Sequence, residues 1–226
     1  MTKTLGLIVG LGTPAGIYYY QQIAKLSEAR GQPLHLVMAH ADVRTVLGHI
    51  RSGEFAELNR YLCRIIGSLR AAGADVAAIS AATPHAGVAA LREMSPIPIV
   101  SLLDAVQLDL LASQVKRIAL LGSRLVIESD LFGCLSGLEV VRPTTAEVSL
   151  IGESYAALAM RGSCTPGERD VFVRLAKELC RREGLDAIVL AGSDLSPVFD
   201  SVAPEFPSFD CSEMHIRAIA KTLWES

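Results

Sequence analysis

The stretch Leu5-Gly6-Leu7-Ile8-Val9-Gly10 (LGLIVG) decides the fold class of this 226-residue chain. Its apolar residues do not alternate with polar ones, so it predicts a short strand buried on both faces, as in parallel sheets. Similar runs recur at residues 34–39, 76–80, 97–101, 118–122 and 187–191. Longer amphipathic segments separate these runs. Strands that alternate with helices indicate β-α-β units, so the sequence predicts an α/β fold.

Two of the intervening helices are clearly marked. Over residues 54–72, one helical stripe collects the apolar side chains Phe55, Leu58, Leu62, Ile65, Ile66 and Leu69. The segment Thr165-Pro166-Gly167-Glu168 opens another helix, in which Thr165 and Glu168 form a capping box around a first-turn proline.

The second half of the chain repeats the first. Gly73 ends a helix before one strand, and Gly184 does the same 111 residues later. Pro98 and Pro207 mark two further strands that lie 109 residues apart. A near-constant offset of half the length indicates a duplicated unit, although any α/β protein shows loose self-similarity. We predict two pseudo-symmetric lobes, each a short parallel sheet flanked by helices, with ligand chemistry in the cleft between them.

Composition excludes several classes of protein. Hydrophobic residues make up 50% and the mean hydropathy is +0.37, unlike a disordered chain. The net charge is −3 with no basic block, and aromatics are 5%, so we expect no nucleic-acid partner. The five cysteines show no Cys-x-x-Cys spacing, which disfavours a disulfide framework or a paired-cysteine zinc site. No signal peptide or membrane span is recognisable, so we expect a cytoplasmic protein without a membrane partner.

The first candidate site element is the turn Gly10-Leu11-Gly12-Thr13-Pro14-Ala15-Gly16. Its glycines let backbone N–H groups approach a ligand, and Pro14 can open a helix whose N-terminus attracts an anion. The third glycine comes one position late for Gly-x-Gly-x-x-Gly, so a small carboxylate fits better than a dinucleotide. A tight strand-to-helix turn without a ligand is the alternative.

Two further strand ends carry polar residues. Thr83 and His85 follow one strand and are typical of a pocket floor, although Thr83 could be a helix cap and His85 could face solvent or support the site from behind. Ser193 and Asp194 follow the matching strand of the second lobe. A carboxylate there can be a general base or a helix cap. No Gly-x-Ser-x-Gly motif surrounds Ser193, so a hydrolase nucleophile is not indicated.

Six segments in order give the chain a resemblance to the aspartate/glutamate racemases, the cofactor-independent amino-acid racemases. The segments are 6–12 with Tyr19-Tyr20, 82–85 (ATPH), 120–123 (LLGS), 137–143 (GLEVVRP), 209–212 (FDCS) and His215. The resemblance implies two lobes, residues 1–100 plus 210–226 and residues 101–209. It also implies a cleft for a small carboxylate or amino acid, no PLP or other cofactor, no metal, and a possible homodimer.

The resemblance also locates the chemistry. Family members place two cysteines on opposite faces of the substrate α-carbon, because inversion needs a base and an acid on opposite sides. Those positions are Ala81 and Ser193 here. Cys211 takes a family threonine position near the cleft, but a small buried hydrophobe is the simpler interpretation.

The resemblance therefore implies altered chemistry. Gly12, Thr83, His85 and Ser123 are the expected substrate contacts, with Ser193 and Asp194 as the catalytic candidates. We expect isomerase-type or one-face proton transfer. The alternatives are a catalytically inactive ligand-binding homologue, or a lyase or decarboxylase on the same fold.

Overall fold

The computed structural model describes residues 2–200 and 202–225. The first half of the chain contains, in order, β1 (Thr4–Val9), α1 (Thr13–Arg30), β2 (His35–His40), α2 (Val43–Arg51), α3 (Phe55–Ala71), β3 (Val76–Ile79), a 3₁₀ helix (Thr83–Gly87), α4 (Val88–Met94) and β4 (Ile99–Val100). The second half contains α5 (Leu102–Ala112), β5 (Arg117–Leu121), α6 (Arg124–Glu128), β6 (Glu139–Val140), α7 (Thr145–Arg161), α8 (Pro166–Glu183), β7 (Ala187–Leu190), α9 (Ser196–Asp200), β8 (Ser208–Asp210) and α10 (Cys211–Trp224).

The strands form two four-stranded parallel sheets with the same order. The first sheet runs β2-β1-β3-β4 and the second runs β6-β5-β7-β8, with every pairing parallel. This arrangement confirms the α/β fold and the two similar lobes predicted from the repeat. The carboxyl ends of β1, β3, β5 and β7 lead into short turns, which are where ligands bind in open parallel sheets.

Two helices are exchanged between the lobes. Helix α5 follows β4 of the first sheet, yet its buried residues Leu102, Val106 and Leu110 pack in the core with β5 and β7. Helix α10 follows β8 of the second sheet, yet Ile216, Ile219 and Leu223 pack with β1, β3 and α1. Helices α5 and α10 also pack against each other. The core of each lobe therefore includes a helix that follows the last strand of the other lobe's sheet.

The marked helices form as predicted, and the strands differ in detail. Thr165 and Glu168 make the capping box of α8, and α3 spans nearly all of the stripe. Strand β2 is half-exposed instead of buried on both faces, because it is the edge strand of its sheet. In the part of the chain that the structure describes, the helices are too short or too polar to span a bilayer.

Candidate active site

The turns that follow the central strands bring two predicted hydroxyls together across the lobes. Thr83 follows β3 and Ser123 follows β5, and their oxygens lie 3.3 Å apart. Both side chains are partly buried. Ser123 is also the N-cap of α6, where its hydroxyl accepts a hydrogen bond from Val126 N–H. Thr83 begins the 3₁₀ helix and is not its cap.

Asp194 reaches from the second lobe to the start of α1 in the first. The residue is 3% exposed, and its Oδ2 accepts a hydrogen bond of 3.1 Å from the Tyr155 hydroxyl. Its Oδ1 is buried and has no hydrogen-bond partner in the described residues. A Cβ built on Gly12 would lie 2.6 Å from Oδ2 and 2.8 Å from Cγ. Gly12 is therefore in direct contact with the carboxyl group.

The buried environment of Asp194 raises the pKa of its carboxyl group. Burial raises the pKa of Asp194 to about 6, while hydrogen bonds from Tyr155 and the backbone of Ala15 oppose the rise. A carboxyl with a pKa near neutral can both accept and return a proton under ordinary conditions.

The Tyr155 hydrogen bond depends on a second glycine. Tyr155 projects from α7, and a Cβ built on Gly192 would lie 2.7 Å from Cζ of its ring. Gly192 thus leaves the space that lets the ring reach Asp194. Burial also raises the pKa of the Tyr155 phenol well above its ordinary value, so the group is a hydrogen-bond donor at neutral pH.

A cavity of about 370 Å³ opens beside Asp194 at the junction of the two lobes. The first lobe contributes Pro14, and the remaining wall comes from the second. The lining residues are Pro14, Leu158, Gly162, Ser163, Cys164, Thr165, Pro166, Arg169, Asp194, Pro197 and Val198. The Thr83–Ser123 pair does not line this cavity. The cavity's volume lies at the lower end of the range of small-molecule sites, which is about 300–1,000 Å³.

His85 lies behind the site and not in the cavity wall. It is 1% exposed, its Nδ1 lies 2.8 Å from the carbonyl oxygen of Ala81, and its Nε2 accepts the N–H of Leu102 at 3.2 Å. The ring is therefore neutral with its proton on Nδ1, and burial lowers its pKa to about 4. His85 fixes the backbone that follows β3.

A second buried histidine completes this support. His215 donates from Nε2 to the carbonyl of Val100 at 3.0 Å, and its Nδ1 accepts from the Tyr19 hydroxyl at 2.9 Å. Burial lowers the pKa of His215 to about 3. The two imidazole rings meet edge to face at 5.9 Å between centroids. Through these hydrogen bonds the two histidines connect α1 and α10 to the end of β4 and the start of α5.

The two residues that the resemblance places at the family cysteine positions are both buried. Ala81 is 5% exposed and Ser193 is 1% exposed. Cys211 is fully buried in the core of the second lobe, and burial raises its pKa well above the ordinary value. Its surroundings are those of a small buried hydrophobe.

Comparison with known proteins identifies the family. A model of the Asp/Glu/hydantoin racemase family matches residues 8–219. The chain belongs to the Asp/Glu/hydantoin racemase family.

No group of three His, Cys, Asp or Glu side chains in residues 2–200 and 202–225 is placed to hold a metal ion.

Solved structures of the racemase family share the fold over its full length. One is a candidate Asp/Glu racemase from Yersinia pestis, with a TM-score of 0.83 at 23% identity over 98% of this chain and 99% of that one. An aspartate racemase homologue from Pyrococcus horikoshii gives 0.80 at 23% identity over 98% and 99%. Glutamate racemase from Thermus thermophilus gives 0.67 at 17% identity over 98% and 80%. At these identities the likeness shows the fold.

Sequence reasoning missed Tyr155, which donates a hydrogen bond to Asp194, and Arg169, which lines the same cavity. Both lie on helices far along the chain from the other candidates, and no local motif marks either of them. The capping box at Thr165 did mark the segment that carries the cavity wall, but only as a helix start. Their placement depends on tertiary packing.

Proposed function

We propose that the cleft binds a small carboxylate or amino acid and that Asp194 transfers a proton to and from a carbon atom of that ligand. The observation that carries the proposal is the carboxyl of Asp194, which is 97% buried and lies on the wall of a ligand-sized cavity between the lobes. A pKa near 6 keeps the group ionised, and thus basic, at neutral pH while allowing easy reprotonation.

The proton transfer takes place on one face of the reacting carbon. The carboxylate of Asp194 removes the proton, the C–H electron pair moves into the adjacent carbonyl as an enolate, and the same carboxyl returns a proton. The opposite family position is Ala81, whose methyl group cannot exchange a proton. The serine at position 193 needs a neighbouring base before it can act. One-face transfer therefore gives exchange without inversion.

The hydroxyls of Thr83 and Ser123, together with the backbone at Gly12, are the predicted contacts for a carboxylate. Each follows a different central strand, and Thr83 and Ser123 lie on opposite lobes, outside the cavity beside Asp194. A ligand that separates the two lobes slightly would replace their mutual hydrogen bond with hydrogen bonds to its own oxygens.

The test is hydrogen exchange in D₂O. Each enantiomer of aspartate and glutamate, together with substituted hydantoins, is incubated with the protein, and loss of the α-proton signal is followed by NMR with chiral analysis. We expect exchange without inversion for at least one compound, and Asp194→Asn lowers its rate by ~10²–10⁴-fold. The matched control is Asp210→Asn, because Asp210 is also a carboxyl whose pKa burial raises to about 6, but it caps α10. Absence of exchange for every compound, or equal rates in the Asp194 variant and wild type, would overturn the proposal.

A further inference from the structure

Arg169 stands on the wall of the same cavity with its guanidinium held in one orientation. Its Nη2 donates to the carbonyl of Val202 at 3.2 Å, and its Cζ lies 5.3 Å from the centroid of the Phe199 ring. These two contacts keep the group from swinging freely into solvent. An arginine that is already oriented loses less entropy when it binds a ligand.

In the described residues, Arg169 forms no ion pair, although its charge helps to lower the pKa of nearby Glu205. Across residues 2–200 and 202–225, no carboxylate oxygen lies within 4.0 Å of its guanidinium. The neighbouring Glu168 pairs with Arg161, and Glu205 pairs with Lys177. The Nε of Arg169 is buried without an acceptor. A partly buried cation without a close carboxylate is stabilised by an anion that reaches the solvent-facing part of its guanidinium.

The cavity thus carries one positive and one negative group on its wall. Of its lining residues, Arg169 and Asp194 are the ones with charged side chains at neutral pH. A ligand that bears one carboxylate and one hydrogen-bond donor would complement both. The Thr83–Ser123 pair is less suited to hold a full negative charge, because the hydroxyls bond each other and Ser123 also caps α6.

We propose that Arg169 binds the carboxylate of the cleft ligand and so determines its specificity for carboxylates. This assignment rests on the proposed function, because it concerns a ligand of the same cavity. A single guanidinium balances a monoanionic carboxylate fully and a phosphate dianion only in part, so carboxylates bind better than inorganic phosphate.

The experiment uses binding as its readout. Four probes are titrated into the ¹⁵N-labelled protein: sodium malonamate (a monoanion with one carboxylate and one amide), L-aspartate, uncharged malonamide and inorganic phosphate. The Nε–Hε signals of the arginines are recorded. Cys164 lines the cavity and provides a second readout, since a bound ligand should protect its thiol from N-ethylmaleimide. Cys180, a partly buried cysteine outside the cavity, is the internal control for alkylation.

We expect the carboxylates to shift the Arg169 signal and to protect Cys164, while malonamide does neither. Arg169→Gln should weaken carboxylate binding about 10- to 100-fold, the range for a charge-assisted hydrogen bond. Arg174→Gln, an exposed arginine on the same helix, should bind like wild type. Arg169→Lys keeps the charge and should bind with intermediate affinity, which also covers the case in which the glutamine variant folds poorly.

The outcomes separate this assignment from the proposed function. Carboxylate binding that is equal in wild type and Arg169→Gln, or phosphate binding as tight as carboxylate binding, would overturn the role of Arg169 and leave Asp194 exchange intact. If no probe binds at all, the role of Arg169 fails, and the exchange assay decides the proposed function separately. If binding depends on Arg169 but Asp194→Asn does not change exchange, only the catalytic proposal fails.

Discussion

Gly12→Ala tests directly whether the carboxyl of Asp194 fills the space at the start of α1. The new Cβ would lie 2.6 Å from Oδ2 and 2.8 Å from Cγ of Asp194, closer than nonbonded atoms can approach. The backbone of Gly12 is extended, with φ of 162°, so alanine is not strained there. The overlap with Asp194 is therefore the main cost of the substitution.

The size of the effect follows from what Asp194 loses when it moves. Forcing a methyl group into a packed site costs about 1–3 kcal/mol. Turning the carboxyl away also breaks its hydrogen bond with Tyr155, and a hydrogen bond to a charged group contributes about 1.5–3 kcal/mol. Because the two costs overlap, we expect Gly12→Ala to lower the free energy of unfolding by about 2–5 kcal/mol.

The assay is a double-mutant cycle measured by urea unfolding. Wild type, Gly12→Ala, Asp194→Ala and the double variant are compared at one pH. Most of the cost of Gly12→Ala should disappear in the Asp194→Ala background, where the obstructing carboxyl is absent. Gly67→Ala is the control: a Cβ there meets nothing within 4 Å, so it should stabilise α3 by roughly 0.5–1 kcal/mol. An equal cost of Gly12→Ala in both backgrounds would refute the contact.

Three more predictions concern the same site. Burial raises the folded-state pKa of Asp194 from 3.8 to about 6, so its contribution to stability is lost as pH rises from about 4 to about 6. As pH rises across that range, the free energy of unfolding of Asp194→Asn should therefore increase by about 2–3 kcal/mol relative to that of wild type. Urea unfolding at several pH values measures this difference, and a difference that does not change with pH contradicts the prediction. Tyr155→Phe removes a hydrogen bond that lowers this pKa, so a ¹³C carboxyl titration should show a higher midpoint; an unchanged midpoint contradicts it. Wild type should not racemise aspartate or glutamate, because Ala81 cannot exchange a proton. Inversion detected by chiral analysis would contradict this. The double variant Ala81→Cys with Ser193→Cys should restore some inversion if the pocket accepts an amino acid.

The sequence predicted the fold well because its signals are local. LGLIVG and the runs like it are short and apolar, which favours strands, and the common offset revealed the two lobes. Strand β6 was not predicted as a strand, because two partly exposed residues at a sheet edge carry no periodicity. The exposure of β2 was also not foreseen, since edge position is decided by strand order and not by composition.

The site could be predicted only in part. The sequence named Thr83, Ser123, Ser193 and Asp194 because ligands bind at the carboxyl ends of parallel strands, which is a property of the topology. Their roles stay predictions. His85 was named as a substrate contact, but its ring nitrogens face the backbone of Ala81 and Leu102, partners that only the folded chain brings near. Whether it ever touches a ligand stays a prediction.

The exchange of α5 and α10 has a consequence for how a chain of this design could have arisen. Consider a half-length chain that ends with one sheet and the helix that follows it, as α5 follows the first sheet. That helix would not cover the chain's own sheet but would pack against the sheet of a second copy. Two such chains would fold by trading helices, as a domain-swapped pair. Joining two such chains end to end, between α5 and β5, gives the present connectivity without moving any element. The ends of the four central strands could then diverge independently, and they now carry Thr83 after β3 and Asp194 after β7.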